Sequence, residues 1–158
     1  MPNIVFHNIT KSYDGINDAV NNLNLDIKEG ELITILGPSG CGKSSSLRML
    51  AGLESITKGE ISIDGTVINN VLAEDRNIAM VFENFALYPH LNVANNLSMP
   101  LIAKKLQKKE IAQKVNEIAK LLEISDQLKK KPNQLSGGQR QRVALARCLI
   151  KYSKATKK

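Results

Sequence analysis

Apolar and polar residues alternate along 3–9 (NIVFHNI) and again along 20–27 (VNNLNLDI), the pattern of strands with one face buried and one face wet. The segment 31–37 (ELITILG) differs: its apolar and β-branched residues run together, which predicts a strand buried on both faces. It leads into a glycine-rich stretch and then SSLRMLAGL, where Leu47, Leu50 and Ala51 share one helical face. Residues 59–65 (GEISIDG) alternate again, as a surface strand does, and 77–82 (NIAMVF) form a second continuous apolar strand. Over 108–124, Ile111, Val115, Ile118 and Leu122 recur at helical spacing. Pro132 breaks the chain before a last helix, about 137–150, with Val143, Ala146, Leu149 and Ile150 on one face. Buried strands alternating with helices predict an α/β core, and the helical run from about 93 to 130 reads as an inserted helical subdomain.

Composition adds limits. The 158 residues are enough for one domain with a core, and 42% apolar with 23% charged residues is the balance of a globular chain, not a disordered one. No apolar run reaches the roughly 20 residues needed to span a bilayer. The start, MPNIVFHNIT, lacks the basic and apolar regions of a signal peptide, so export is not expected. The net charge of +7 raises nucleic acid as a partner, but four lysines in 151–158 supply +4 of it, and the clusters at 104–109 and 129–131 read as solvated faces. No nucleic-acid partner is therefore expected. The two cysteines, Cys41 and Cys148, are expected to be reduced thiols. Cys41 lies beside Lys43 at a helix start, which could lower its pKa and make it reactive, but the favoured reading is a small filler residue.

The candidate chemistry begins at Gly37-Pro38-Ser39-Gly40-Cys41-Gly42-Lys43-Ser44, which matches G-x-x-x-x-G-K-[ST]. The glycines let the backbone turn its N–H groups onto phosphate oxygens, and the helix that follows aims its positive end at the same anion. Lys43 is placed to reach the β- and γ-phosphates, and the Ser44 hydroxyl to ligate Mg2+. The position between an apolar strand and a helix is the context this motif requires. A second motif, Leu135-Ser136-Gly137-Gly138-Gln139, opens the last helix. Ser136 is a good N-cap and two glycines leave backbone N–H groups bare, so this terminus is either a second anion site or an ordinary capped helix.

Together the two motifs resemble the ATP-binding subunit of ABC transporters, over about the N-terminal two-thirds of that domain. The resemblance implies a P-loop NTPase core of the α/β class, with an N-terminal antiparallel β-subdomain and an inserted α-helical subdomain. It divides the chain into 1–82 (β-subdomain and Walker A core), about 83–136 (Q-loop and helical subdomain), 135–150 (signature and its helix) and the basic tail 151–158. It implies ATP and Mg2+ as cofactors, with residues 37–44 and Ser45 as the Walker A loop. Tyr13, in KSYDG, matches the aromatic that stacks on adenine; standing alone it would read as a half-buried strand aromatic. Leu135, Ser136, Gly137, Gly138 and Gln139 match the signature, which in that family caps the ATP of a partner subunit in a head-to-tail dimer. Residues 82–93 (FENFALYPHLNV) match the Q-loop and the groove that receives a transmembrane permease subunit, lined here by Phe85, Leu87, Tyr88 and Leu91 unless these are simply core. ALYPHL is most similar to importers of the maltose and glycerol-phosphate type. The implied location is the cytoplasmic face of the cell membrane.

Two departures bear on activity. Where the family's Q-loop has glutamine this chain has Glu83, a hard oxygen ligand still suited to Mg2+ but a negative charge beside a triphosphate. After the signature helix the family continues with the Walker B strand, a catalytic glutamate and a switch histidine. No apolar strand ending in Asp-Glu follows the glycine loop here, and His7 and His90 do not fit the switch position. No catalytic residue is therefore identified, and ATP hydrolysis by this chain alone is not expected. The pattern reads as a truncated ABC ATPase, from a frameshift or premature stop, or as a fragment completed by another chain. Either way 31–37 would lack strand neighbours, and each unmet buried backbone group costs about 1–3 kcal/mol.

Overall fold

The computed structural model describes residues 3–152; the last lysines of the basic tail fall outside them. The described residues form two compact units divided between Ile78 and Ala79.

The first unit holds a four-stranded antiparallel sheet. Strands β1 (Ile4–Ser12), β2 (Asp18–Ile27), β3 (Lys58–Ile63) and β4 (Thr66–Val67) lie in the order β2-β1-β3-β4. Phe6 pairs with Leu25 on one side and Ile61 on the other, so alternate apolar residues of three strands meet on one face. The register slips between Phe6 and Ile9, where Asn8 takes a φ of 51°. That bulge brings Ile9, three residues on, to the same core as Phe6. Helix α1 (Lys43–Leu50) covers this core with Met49, which is fully buried, while Leu47 is half exposed. Of the expected face, Ala51 is buried and Leu50 packs on this core, while Leu47 turns outward and Ser46 and Met49, three apart, complete the buried stripe.

The two continuous apolar segments do not form strands. Residues 31–37 and 78–82 have no regular structure, and Leu32 and Leu36 are 94% and 85% exposed. Hydrophobicity disposes a segment to be a central strand, but the ladder is made by pairing, and among the described residues the only sheet is β2-β1-β3-β4, which includes neither segment.

The second unit is helical: α2 (Val93–Ala103), α3 (Lys108–Leu121) and α4 (Gly137–Ile150). Val93, Leu97 and Leu101 meet Val115, Ile118 and Ala119 and then Val143, Ala146 and Ile150 in one core. The predicted spans match closely, because amphipathic helices carry their own hydrogen bonds and need neighbours only for their apolar stripe. Leu149, expected on the buried face, is 41% exposed; the stripe runs through Val143, Ala146 and Ile150. Pro132 opens a 3-10 turn, Pro132–Gln134, that leads to α4.

Candidate functional site

The glycine loop ends at Gly42, the N-cap of α1, in the left-handed region at φ 86°. A Cβ there would stand 2.3 Å from the carbonyl oxygen of Ala19, so both conformation and space require glycine. No side chain caps α1. The N–H groups of its first turn have no acceptor within the helix, and the positive end of the helix dipole is open to an anion. Lys43 starts the helix and folds back over the loop, its Nζ donating to the carbonyl oxygens of Gly37 (2.8 Å) and Pro38 (2.6 Å). The ammonium is therefore held inside the curve of the loop, at the mouth of the helix.

The remaining loop residues sort by what they touch. Cys41 N donates to Pro38 O, closing the turn through Ser39 and Gly40. Cys41 Sγ seats against Gly37, where a Cβ would come within 2.5 Å of it, and lies 3.6 Å from Lys43 Nζ. The side chain is exposed, so it packs on the loop without being enclosed. Cys148 is half-buried against Met80 O, and burial pushes its thiol above the ordinary value. Ser44 is exposed at the helix start, free to face a ligand. Ser46 points inward and donates to Gly42 O. Ser45 Oγ lies 3.0 Å from Tyr13 Oη, which ties the tyrosine to the first turn of α1. Tyr13 is 60% exposed. The turn that carries it is built on Asp14, whose carboxylate accepts the N–H groups of Ile16 and Asn17. The first unit thus assembles Tyr13, the loop, Lys43, Ser44 and Ser45 in one place.

In the second unit the start of α4 is capped differently. Ser136 Oγ accepts from Gln139 N at 3.3 Å, and Gln139 Oε1 accepts from Ser136 N at 2.9 Å. This reciprocal box leaves the N–H groups of Gly137 and Gly138, in the first turn, without an acceptor in the helix. Both glycines are exposed with open space around them, while Leu135 is buried in the core. The terminus is thus a capped helix that still presents two backbone donors without an acceptor in the helix.

Glu83 is exposed in a turn of this second unit. Of the four residues expected to line a groove at 82–93, Leu87 packs on the helical core and Tyr88 borders a cavity of about 570 Å3, together with Phe82, Met99 and Arg147. Phe85 and Leu91 do not line that cavity. The segment that carries Tyr88 is held by two residues that the sequence did not single out. Arg147 donates to Ala86 O (2.8 Å) and Phe85 O (3.3 Å), holding two residues with positive φ, and lies over the Tyr88 ring. Asn96 is fully buried; it accepts from Tyr88 N and donates to the oxygens of Tyr88, Leu91 and Asn92. A signal for Asn96 was available: it is a polar residue on the stripe of Val93, Leu97 and Leu101. Arg147 carried none. Among the described residues no cluster of three or more His, Cys, Asp or Glu side chains is arranged to hold a metal, and no helix is long and apolar enough to cross a membrane.

Residues 20–156 match the family model of the ABC transporter. The trehalose import ATP-binding protein SugC of Mycobacterium tuberculosis is 50% identical over 155 residues, 98% of this chain and 39% of that protein. The sn-glycerol-3-phosphate import ATP-binding protein UgpC of Brucella abortus is 52% identical over 151 residues, 96% of this chain and 43% of that protein. The chain spans about two-fifths of the length of these curated relatives. Among solved structures, a dimeric ATP-binding cassette in a post-hydrolysis state, bound to ADP and Pi, has a TM-score of 0.84 at 38% identity. That match covers 94% of this chain and 70% of the other.

Proposed function

This chain belongs to the ABC transporter family, with the fold of its ATP-binding cassettes, and from that premise we propose that it binds Mg-ATP as the nucleotide-binding part of a solute importer. The observation that carries the reading is the start of α1. An uncapped helix terminus, a glycine that no other residue can replace and an ammonium held at the loop mouth together form a cradle for a polyphosphate. Residues 37–45 hold the phosphates, with Lys43 exchanging loop carbonyls for phosphate oxygens. Ser44 is the protein ligand suited to Mg2+, and Glu83 is the second candidate. Mg2+, when bound, neutralises charge on the triphosphate. Tyr13 offers its ring to the base.

The relatives' names, trehalose import and sn-glycerol-3-phosphate import, support a carbohydrate or glycerol-phosphate as the solute. A dimeric cassette among the similar structures supports head-to-tail pairing, in which the bare N–H groups of Gly137 and Gly138 meet the nucleotide of the second subunit. The groove beside Tyr88 and Arg147 is the place for a permease subunit, with the chain on the cytoplasmic face of the membrane. Residues 83–136 act as the helical subdomain in this reading. Within these 158 residues no carboxylate fills the role of catalytic base, so the chain binds ATP without turning it over unaided.

A second reading is a non-catalytic fragment or remnant with weak nucleotide binding or none, favoured by the exposure of Leu32 and Leu36. Urea unfolding of the purified chain separates the two. At a hundredfold excess of Mg-ATP over its Kd the transition shifts by about 2.7 kcal/mol if the cradle binds. Lys43→Ala removes a charge-assisted contact and weakens binding at least about tenfold. A transition indifferent to Mg-ATP overturns the first reading in favour of the second.

A further inference from the structure

Tyr13 is held on two sides, and only one of the holding groups belongs to the glycine-loop helix. Its hydroxyl meets Ser45 Oγ at 3.0 Å, and one face of its ring carries Lys11 Nζ, 4.8 Å from the centroid. Lys11 is an unusual side chain: a lysine at the end of β1 that is only 5% exposed. Its ammonium is fixed from below by Glu54 Oε1 at 3.0 Å and Ser55 Oγ at 3.1 Å. Glu54 and Ser55 follow α1, and Glu54 Oε2 also lies 4.0 Å from Arg48 Nε. The line Glu54, Lys11, Tyr13, Ser45 therefore starts in the loop just after α1, ends in the first turn of α1 and clamps the ring over that turn.

We propose that Lys11 is a positioning residue for the nucleotide base: by covering one face of Tyr13 it leaves the opposite face as the single stacking platform, at a set reach from the phosphate cradle. This rests on the reading of the glycine loop as a nucleotide site. Two physical effects act in the same direction. A buried, ion-paired ammonium on one face cannot leave cheaply, so the ring cannot turn over or fold down onto α1. The cation also draws the ring's π electrons toward itself, which makes the open face a better partner for an electron-rich base. The ligand class this selects is a nucleotide with a large π-surface, a purine over a pyrimidine, since stacking strength follows ring area. The phosphates are unaffected, because the Lys11 ammonium is engaged with Glu54, Ser55 and Tyr13 and not with the glycine loop.

The test compares ATP, CTP and inorganic tripolyphosphate, each with Mg2+, by titration calorimetry on the full chain. In Lys11→Met, ATP binding falls about two- to fivefold, the range of a surface cation–π contact, while tripolyphosphate binding is unchanged and the ATP-to-CTP ratio narrows. Lys11→Arg, which keeps a cation over the ring, restores ATP binding to within about twofold. Lys11→Met leaves Glu54 with only its longer contact to Arg48, so the pair Lys11→Met with Glu54→Gln is measured as well, and it shows the same selective loss with an unfolding midpoint near that of the unmodified chain. Equal losses for ATP and tripolyphosphate, or no loss for ATP, overturn the proposal while leaving nucleotide binding intact. If the unmodified chain binds none of the three ligands, the nucleotide reading itself fails and this inference goes with it.

Discussion

Arg76 reaches across the first unit to donate from Nη1 to the carbonyl oxygen of Met49 at 2.7 Å and to that of Leu50 at 3.0 Å. Its Nε and Nη2 donate to Val71 O and Asn69 O. One buried guanidinium thus satisfies the last carbonyls of α1, at the negative end of the helix dipole, and ties them to the loop after β4. Because α1 carries the glycine loop at its other end, Arg76 fixes the helix on which the proposed site is built. Arg76→Met takes a donor from four carbonyls, of which that of Met49 keeps the N–H of Gly52, and lowers the stability of the first unit by about 2–4 kcal/mol, read from urea unfolding. A change under about 0.5 kcal/mol would show the cap to be idle.

Asp14 makes the turn bearing Tyr13 sensitive to acid. The N–H of Asn17, then its side-chain amide, then the N–H of Ile16 hold the Asp14 carboxyl well below the usual carboxylate range. The folded value lies below the unfolded one of about 3.9. The turn's stabilisation is therefore complete above about pH 4 and is lost as pH falls toward the depressed folded value. Amide shifts of Ile16 and Asn17 followed by NMR between pH 6 and pH 2 should hold steady through pH 4 and move only below it. Asp14→Asn removes this titration while keeping an acceptor. A midpoint near the ordinary carboxylate value in the unmodified chain counts against the hydrogen-bond account.

Ser136→Ala deletes the hydroxyl that accepts from Gln139 N, and the second unit should lose about 1 kcal/mol. Binding of Mg-ATP to the isolated chain should stay within about twofold, since this terminus belongs to the unit without the glycine loop. Thermal unfolding and calorimetry on one sample test both halves. Weakening of ATP binding by tenfold in a monomer would assign Ser136 to the chain's own nucleotide.

Leu32 and Leu36 form the most exposed apolar pair on a segment without backbone ladder bonds. Beside them Ile33 and Ile35 line a cavity of about 460 Å3 with Leu25, Leu47 and Leu50. Such a surface self-associates, and Leu32→Lys with Leu36→Lys should move the chain toward monomer in light scattering at unchanged helix content. Persistent oligomers of unchanged size in that variant would place the association elsewhere.

The parts legible in the sequence were those whose structure is made locally. Helix α4 was bounded at Gly137 and Ile150 because Ser136 caps one end and the apolar stripe runs to the other. The glycine loop was legible because Gly42, Lys43 and Ser44 each meet a demand of backbone geometry or anion chemistry that few other residues meet. Strands β1 to β3 were legible from alternation, but the bulge at Asn8 was not, since it follows from pairing on both sides of β1. Side chains acting over long sequence separations left no local trace. Lys11 on Tyr13 and Glu54, Arg76 on Met49, and Arg147 on Phe85 and Ala86 join residues up to 62 positions apart. The segments 31–37 and 77–82 mark the opposite limit. Their composition is that of central strands, yet a strand exists only as one side of a hydrogen-bonded ladder, and among the described residues neither segment is part of one. Sequence alone determined the helices of the second unit, the Ser136 cap and the glycine loop before α1. Tertiary structure alone decided which apolar segments became sheet and which cations hold the site in place, because ladders and buried ion contacts are properties of two segments at once.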